Sequence, residues 1–241
     1  MPRQYIPQKL NIGNTYLIEN EQHHHLLHVL RKKLNDPITL FNNHGGEYLG
    51  TITHISKTTT SVIIEKHLPI NRSSNLSIHL GQVISRKSAM TYSLEKACEL
   101  GVTEITPLLN SNTPKHRSNL TSQWQKTIIQ ACMQCGLNQL PILNPSTSVP
   151  EWIKSVKTET RLVLSPHHAS QFSSQRLPQS IALLIGAEEG LNEETFQLAL
   201  EHSFLPWNLG TRTLRTETAT TTSLSILQYL WGDINHIKRI N

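Results

Sequence analysis

Between Leu209 and Ala219 the chain reads Leu-Gly-Thr-Arg-Thr-Leu-Arg-Thr-Glu-Thr-Ala. An apolar stretch ends in glycine, two arginines bracket a short loop, and a helix starts at once. Residues 204–209 predict a strand, Thr216 the N-cap and Glu217 the first helical position, with Leu224, Leu227 and Leu230 continuing an apolar face. Free backbone N–H groups at such a helix start favour an anion, and Arg212 and Arg215 add two fixed positive charges. The chemistry on offer is binding of phosphate or carboxylate, or stabilisation of negative charge that develops in a reaction. A capped helix bearing two solvated arginines would use the same residues.

A second unit of this kind lies just upstream. Ile181-Ala182-Leu183-Leu184-Ile185 is a continuous apolar run, the pattern of a strand buried on both faces of a parallel sheet, and it stops at Gly186-Ala187-Glu188-Glu189-Gly190-Leu191. Asn192 is placed to cap the following helix, with Glu193 and Glu194 in its positive first turn and Phe196, Ala199 and Leu200 on its apolar face. Two consecutive strand–loop–helix units predict a ligand at the carboxyl ends of the strands of an open α/β sheet. Neither loop carries GxGxxG, and no GxxxxGK[ST] occurs, so dinucleotide and P-loop chemistry drop out.

These segments need a scaffold, and 241 residues suffice for a small domain beside a medium one. Residues 1–70 read as short strands at 16–18, 38–41, 48–52 and 61–64, with Asn43-His44-Gly45-Gly46 as a hairpin signal and one helix over about 21–31. A small β-barrel is the natural closure. Asn35, after that helix, is a residue that tolerates a left-handed turn. The polar run at 69–75 marks the boundary, after which strand and helix alternate. A strand at 78–84 feeds a helix with Ser88 as its expected cap and Gly101 beyond its end, and a strand at 104–106 follows, so the two strands pair in parallel.

The basic balance of 22 Lys+Arg against 17 Asp+Glu permits nucleic acid without requiring it. No apolar stretch approaches a membrane span, and Met1-Pro2-Arg3-Gln4 leads into no signal-peptide core, so a cytoplasmic location is expected. Cys98, Cys132 and Cys135 cannot make a disulfide framework. The Cys132-x-x-Cys135 spacing suits zinc or thiol exchange. It falls on a helix predicted over about 121–135, in register with Trp124, Ile128 and Ala131, and without a second pair it reads as core packing. His23-His24-His25 point in different directions along a helix, no HExxH is present, and no metal site is expected.

Taken in order, a set of segments resembles the SPOUT methyltransferases and, more narrowly, the RsmE-type family. They are Arg3 to Pro7, His25 with Val29-Leu30-Arg31, His79 to Arg86, Glu95 to Val102, Ile105-Thr106-Pro107, Gln123 to Lys126, Gln134-Cys135-Gly136 and both glycine loops. The resemblance implies a PUA-like RNA-binding barrel over residues 1–71. Over 72–241 it implies an α/β domain with a parallel sheet and a trefoil knot, which physics alone does not predict. It further implies a homodimer, S-adenosylmethionine (SAM) as methyl donor, and methylation of N3 of uridine 1498 of 16S rRNA within the 30S subunit.

By position on the family's three loops, Leu164, Gly186, Gly190, Leu209, Gly210 and Leu214 are the expected SAM contacts, with His167-His168 on the first of these loops. Uridine N3 must lose its proton before it attacks, which makes Arg215, and secondarily Arg212, the expected stabilisers of the resulting charge or holders of an RNA phosphate. Glu217 is a conceivable base, or serves only the helix start. Arg3, Arg31, Arg86, Lys87 and Lys96 are expected RNA contacts. Two positions depart from the family's Gly-Pro-Glu-Gly-Gly, namely Ala187 and Glu189, and Glu189 would be strained if its backbone needed a positive φ. Leu137 stands where an arginine is frequent. Two other readings use the same loops: a ribose 2′-O-methyltransferase, and a ribosome-binding homologue without methyl transfer.

Overall fold

The structure, a computed structural model, describes residues 1–113, 120–168 and 177–234. By its contacts the chain divides into two units, Met1–Ser73 with Cys132–Leu140, and Ser74–Ala131 with Pro141–Asn241.

The first unit is a five-stranded sheet in the order β1 (Arg3–Tyr5), β3 (Pro37–Phe41), β4 (Glu47–Ile55), β5 (Thr59–Leu68) and β2 (Thr15–Glu19). Alternation explains it: β2 buries Tyr16 and Ile18 and turns its other residues out, and these two join Ile38, Leu40, Ile52, Val62 and Ile64 in one core. Irregularities between Leu49/Gly50 and Ile52/His54 bend the β4–β5 pair. The short strand β1, absent from the sequence reading, pairs in parallel with β3. Asn35 has the expected left-handed backbone, with φ 68°. The helix expected over 21–31 is instead a short α1 (Asn20–His24) continued by a π-helical turn, His25–Val29.

Residues 132–140 join this unit through specific contacts. The guanidinium of Arg72 donates to Gly136 O at 3.3 Å, Asn138 to Ile70 O, and the Leu140 N–H to the Asn43 side chain. Leu137 is buried there, so an apolar residue suits the position.

The second unit is a parallel sheet in the order β12 (Leu205–Trp207), β10 (Thr160–Leu164), β11 (Ser180–Ile185), β6 (Ser77–Val83), β7 (Glu104–Leu109) and β8 (Ile142–Leu143), with β9 (Thr147–Ser148) also on β7. The apolar run of β11 has parallel neighbours on both sides, which is why it does not alternate. Helices α2 (Lys87–Glu99), α3 (Thr121–Cys135), α4 (Val149–Ser155), α5 (Glu193–Glu201) and α6 (Thr216–Leu230) complete the described elements. One core cluster joins Val83, Leu108, Trp152, Val163, Leu184, Phe196 and Phe204. No described helix is long and apolar enough to cross a membrane.

Two helix starts differ from expectation, each for a tertiary reason. The N-cap of α2 is Arg86 rather than Ser88, because the Arg86 N–H is taken by Glu188 Oε1 at 3.0 Å and the chain enters the helix two residues earlier. The N-cap of α6 is Arg215 rather than Thr216. Thr216 is buried, and its hydroxyl donates to Gly186 O at 2.7 Å instead of to its own helix.

Candidate functional site

Three loops leave the carboxyl ends of neighbouring parallel strands β10, β11 and β12 and surround one cavity of about 220 Å³. Leu164 to His168 line it from the first, Gly186 to Leu191 from the second, and Leu209, Gly210, Arg212, Thr213 and Leu214 from the third. Ile185, Glu193, Phe196, Trp207, Thr216 and Ala219 complete the wall. All six residues expected to contact a methyl donor are therefore brought together, although they span 51 positions from Leu164 to Leu214 counted inclusively.

The second loop doubles back on itself. The Gly190 N–H donates to Ala187 O at 3.0 Å, and Gly190 carries the positive φ, 78°. Glu189 is not among the residues of positive φ, so the strain anticipated there is absent. Gly186 must lack a side chain because a Cβ would lie 2.7 Å from the Gly190 carbonyl carbon. The two glutamates anchor the loop to neighbouring residues. Glu188 Oε1 accepts from the Arg86 N–H at 3.0 Å and from its guanidinium at 2.8 Å, while Glu189 accepts from Asn110 Nδ2 at 3.0 Å. Partial burial pushes the Glu188 carboxyl up, but its hydrogen bonds to Arg86 outweigh this and hold it below the ordinary carboxylate value.

The first and third loops are tied as well. Asn208 donates to Pro166 O at 2.9 Å and accepts the Gly210 N–H at 2.7 Å. His168 shares a 2.7 Å hydrogen bond with Ser165 Oγ and stacks on Phe196, with ring centroids 4.0 Å apart and planes at 21°.

Behind the cavity lies a buried polar knot of side chains that sequence reasoning missed. Gln82 is fully buried at the end of β6. Its amide nitrogen donates to Val83 O and Thr216 Oγ1, both at 3.1 Å, and its oxygen accepts from Thr220 Oγ1 at 2.9 Å. Since Thr216 also bonds Gly186 O, one glutamine connects β6, the second loop and the first turn of α6. The signal was a lone amide inside the apolar run His79 to Ile84.

The arginines of the third loop diverge. Arg212 lines the cavity, whereas Arg215 is exposed outside it. No side chain caps the start of α6, so its first-turn N–H groups remain for a ligand. Glu217 is not in the wall, and its Oε2 is buried without a hydrogen-bond partner among the described residues.

Of the expected RNA contacts, three are engaged by carboxylates. Arg3 pairs with Glu47 and lies 4.8 Å from the Phe41 ring, with only 11% of its side chain exposed, so the ion pair and ring hold it inward. Burial raises the pKa of Glu47, but Arg3 and Arg72 together bring it below the ordinary value. Arg86 pairs with Glu188 at 2.8 Å and Lys96 with Glu99 at 2.7 Å. Arg31 and Lys87 are exposed and have no ion pair among the described residues. Cys132 is buried in the core and Cys135 half-buried, and the described residues contain no cluster of three or more metal-ligating side chains.

Strand-end loops around a cavity and a separate N-terminal sheet define an RNA methyltransferase architecture, and comparison with known proteins agrees. Residues 72–228 match the family described as RNA methyltransferase domain, and residues 18–65 match the RNA methyltransferase PUA domain. A SAM-bound methyltransferase of Legionella pneumophila superimposes with a TM-score of 0.91 at 36% identity, over 96% of this chain and 98% of that one. The SAM-bound ribosomal RNA small subunit methyltransferase E of Neisseria gonorrhoeae gives 0.90 at 34%, over 97% and 99%. The protein of that name from Buchnera aphidicola of Acyrthosiphon pisum is 34% identical over 97% of this chain and 95% of its own length. The chain belongs to the ribosomal RNA small subunit methyltransferase E family.

Proposed function

We propose that this protein is a SAM-dependent methyltransferase acting on N3 of uridine 1498 of 16S rRNA in the small ribosomal subunit. The observation that carries the reading is the single cavity formed by three strand-end loops, in a chain 34–36% identical to relatives solved with SAM bound. The lining suits such a ligand: glycine backbone at Gly186, Gly190 and Gly210 allows close approach, and Leu164, Leu191, Trp207 and Leu214 offer apolar contact. When bound, SAM supplies an electrophilic methyl group.

The remaining work falls to the chain. Removing the N3 proton of uracil leaves negative charge on its carbonyl oxygens. Arg212, in the wall, and the uncapped first turn of α6 are the groups that offset it. Arg215, outside the wall, holds an RNA phosphate and so fixes the nucleotide. Glu217 lies outside the wall, so proton removal is assigned to solvent rather than to this carboxylate. A trefoil knot and a homodimer belong to the same proposal. The exposed Tyr229, Leu230 and Ile234 at the end of α6 offer apolar surface for a second copy.

The test is calorimetric titration with SAM followed by methyl transfer to 30S subunits lacking the modification, the product base being identified by mass spectrometry. Binding with formation of 3-methyluridine at that position supports the reading. No binding at millimolar SAM replaces it with a non-catalytic ribosome partner.

A further inference from the structure

The first unit carries an exposed group of side chains that this reaction does not use. α1 ends after five residues and widens into the π turn. The Leu30 N–H donates to His25 O at 3.0 Å and the Lys32 N–H to Leu26 O at 3.0 Å. One side of the turn is anchored: buried His23 bonds Thr60 Oγ1 through Nδ1 at 2.9 Å, and Leu26 is fully buried. On the other side the rings of His24 and His28, both exposed, meet at 4.4 Å between centroids and 36° between planes. Val29 is 62% exposed, and Arg31 follows with φ 51°.

Three of these features are individually unusual. A π turn is a rare insertion often associated with function, an arginine at positive φ is uncommon, and an exposed valine next to two exposed, mutually tilted rings leaves aromatic and aliphatic surface in water. The charge around them is mixed in a telling way. Asp36 pairs with Lys32 at 3.7 Å and accepts the Lys33 backbone N–H at 3.0 Å, the Arg31 and Lys33 side chains make no ion pair among the described residues, and Glu21 lies one turn before His24. Rings and aliphatic carbon with cations at one end match a nucleobase with its phosphate. Unpaired bases of RNA are recognised in this way, by stacking on aromatic planes with nearby basic groups.

We propose that the His24–His28 turn is a stacking platform for an unpaired RNA base, with Arg31 and Lys33 on the adjoining phosphates. The inference rests on the reading of the substrate as rRNA and adds where, and by what contact, the first unit holds it. The histidines act through their ring faces, so other aromatic rings replace them.

The test uses the full-length protein and a fluorescently labelled 12-nucleotide RNA, single-stranded or annealed to its complement, read by anisotropy. Wild type is expected to prefer the single strand. The H24A/H28A pair weakens single-strand binding by about fivefold or more, the lower end of the usual loss for one stacked base, and leaves duplex binding within about twofold. H24F/H28F restores single-strand binding to within about twofold of wild type. Urea unfolding of each full-length variant reports folding, and replacing the two exposed rings leaves it unchanged. Single-strand binding unaltered in the alanine pair, equally weak binding by the phenylalanine pair, or no binding of the probe by wild type overturns the proposal. So does loss of 30S binding alone, which assigns the turn to a ribosomal protein. Should wild type neither bind SAM nor methylate while the alanine pair still loses the single strand, the enzyme reading fails and the platform stands.

Discussion

Replacing Gly186 by alanine isolates the contribution of one close backbone approach to the cavity. The new Cβ would sit 2.7 Å from the Gly190 carbonyl carbon, 2.9 Å from its Cα and 3.0 Å from its oxygen. Carbon atoms attract best at about 3.5–4.0 Å, so the loop must retreat by roughly 0.8 Å. Nothing flexible is available to yield, because all three colliding atoms are backbone. Retreat strains the 3.0 Å bond from the Gly190 N–H to Ala187 O and displaces the second wall of the cavity. It also pulls on Gly186 O, which holds the Thr216 hydroxyl at 2.7 Å. Overpacking of this kind costs about 1–3 kcal/mol. The expected result is a lower midpoint in thermal or urea unfolding and SAM affinity reduced by about tenfold or more, since about 1.4 kcal/mol is a factor of ten. The comparison variant is Gly190→Ala, where φ is 78° but nothing lies within 4 Å of the added Cβ. It pays only backbone strain, on the order of 1 kcal/mol. A Gly186→Ala protein with wild-type SAM affinity and stability would refute the claim that this contact shapes the site.

Three further outcomes are expected. Gln82→Leu removes the bonds that tie β6 to Thr216 and Thr220, while Thr216 keeps Gly186 O and Thr220 keeps Thr216 O as acceptors, so the expected cost is about 1 kcal/mol in urea unfolding; unchanged unfolding would show the network to be idle. Arg212→Ala is expected to lower kcat by about a hundredfold, as loss of one charge-stabilising group does, whereas Arg215→Ala raises KM for 30S subunits and flattens its salt dependence; the opposite split would exchange their roles. Burial lowers the pKa of His79, with Glu104 pulling the other way, and Nε2 accepts from Trp152 Nε1 at 3.1 Å, which disfavours a proton there. Unfolding therefore binds a proton as pH falls below the ordinary value of 6.5, so stability declines from there toward the lower folded value, by at most about 1.4 kcal/mol per pH unit. A His79→Gln protein should lose that slope, and a flat wild-type curve between about pH 7 and 5 would contradict it.

Local patterns in the sequence were sufficient for the elements around the cavity. The unbroken apolar run of β11 required burial on two faces, Asn192 capped α5 by accepting the Thr195 N–H at 2.9 Å, and α3 occupies the span its helical spacing predicts. The resemblance supplied the six loop positions that converge. Such features depend on periodicity and on residues a few places apart, and these survive in a linear reading.

Tertiary structure decided what depends on partners far along the chain. The start of α2 is set by Glu188, 102 residues away, and the Thr216 hydroxyl is drawn from its own helix by Gly186, 30 residues away. Arg3 reads as a surface cation until Glu47 and Phe41 are seen beside it. Glu189 looked strained while the positive φ was unassigned, and the fold gives that conformation to Gly190 and ties the glutamate to Asn110. The sequence by itself determined which residues could form strands, caps and an anion-binding helix start. Only the folded chain determined which polar groups would meet, because a hydrogen bond depends on distance and direction in space, and sequence spacing fixes neither beyond a few residues.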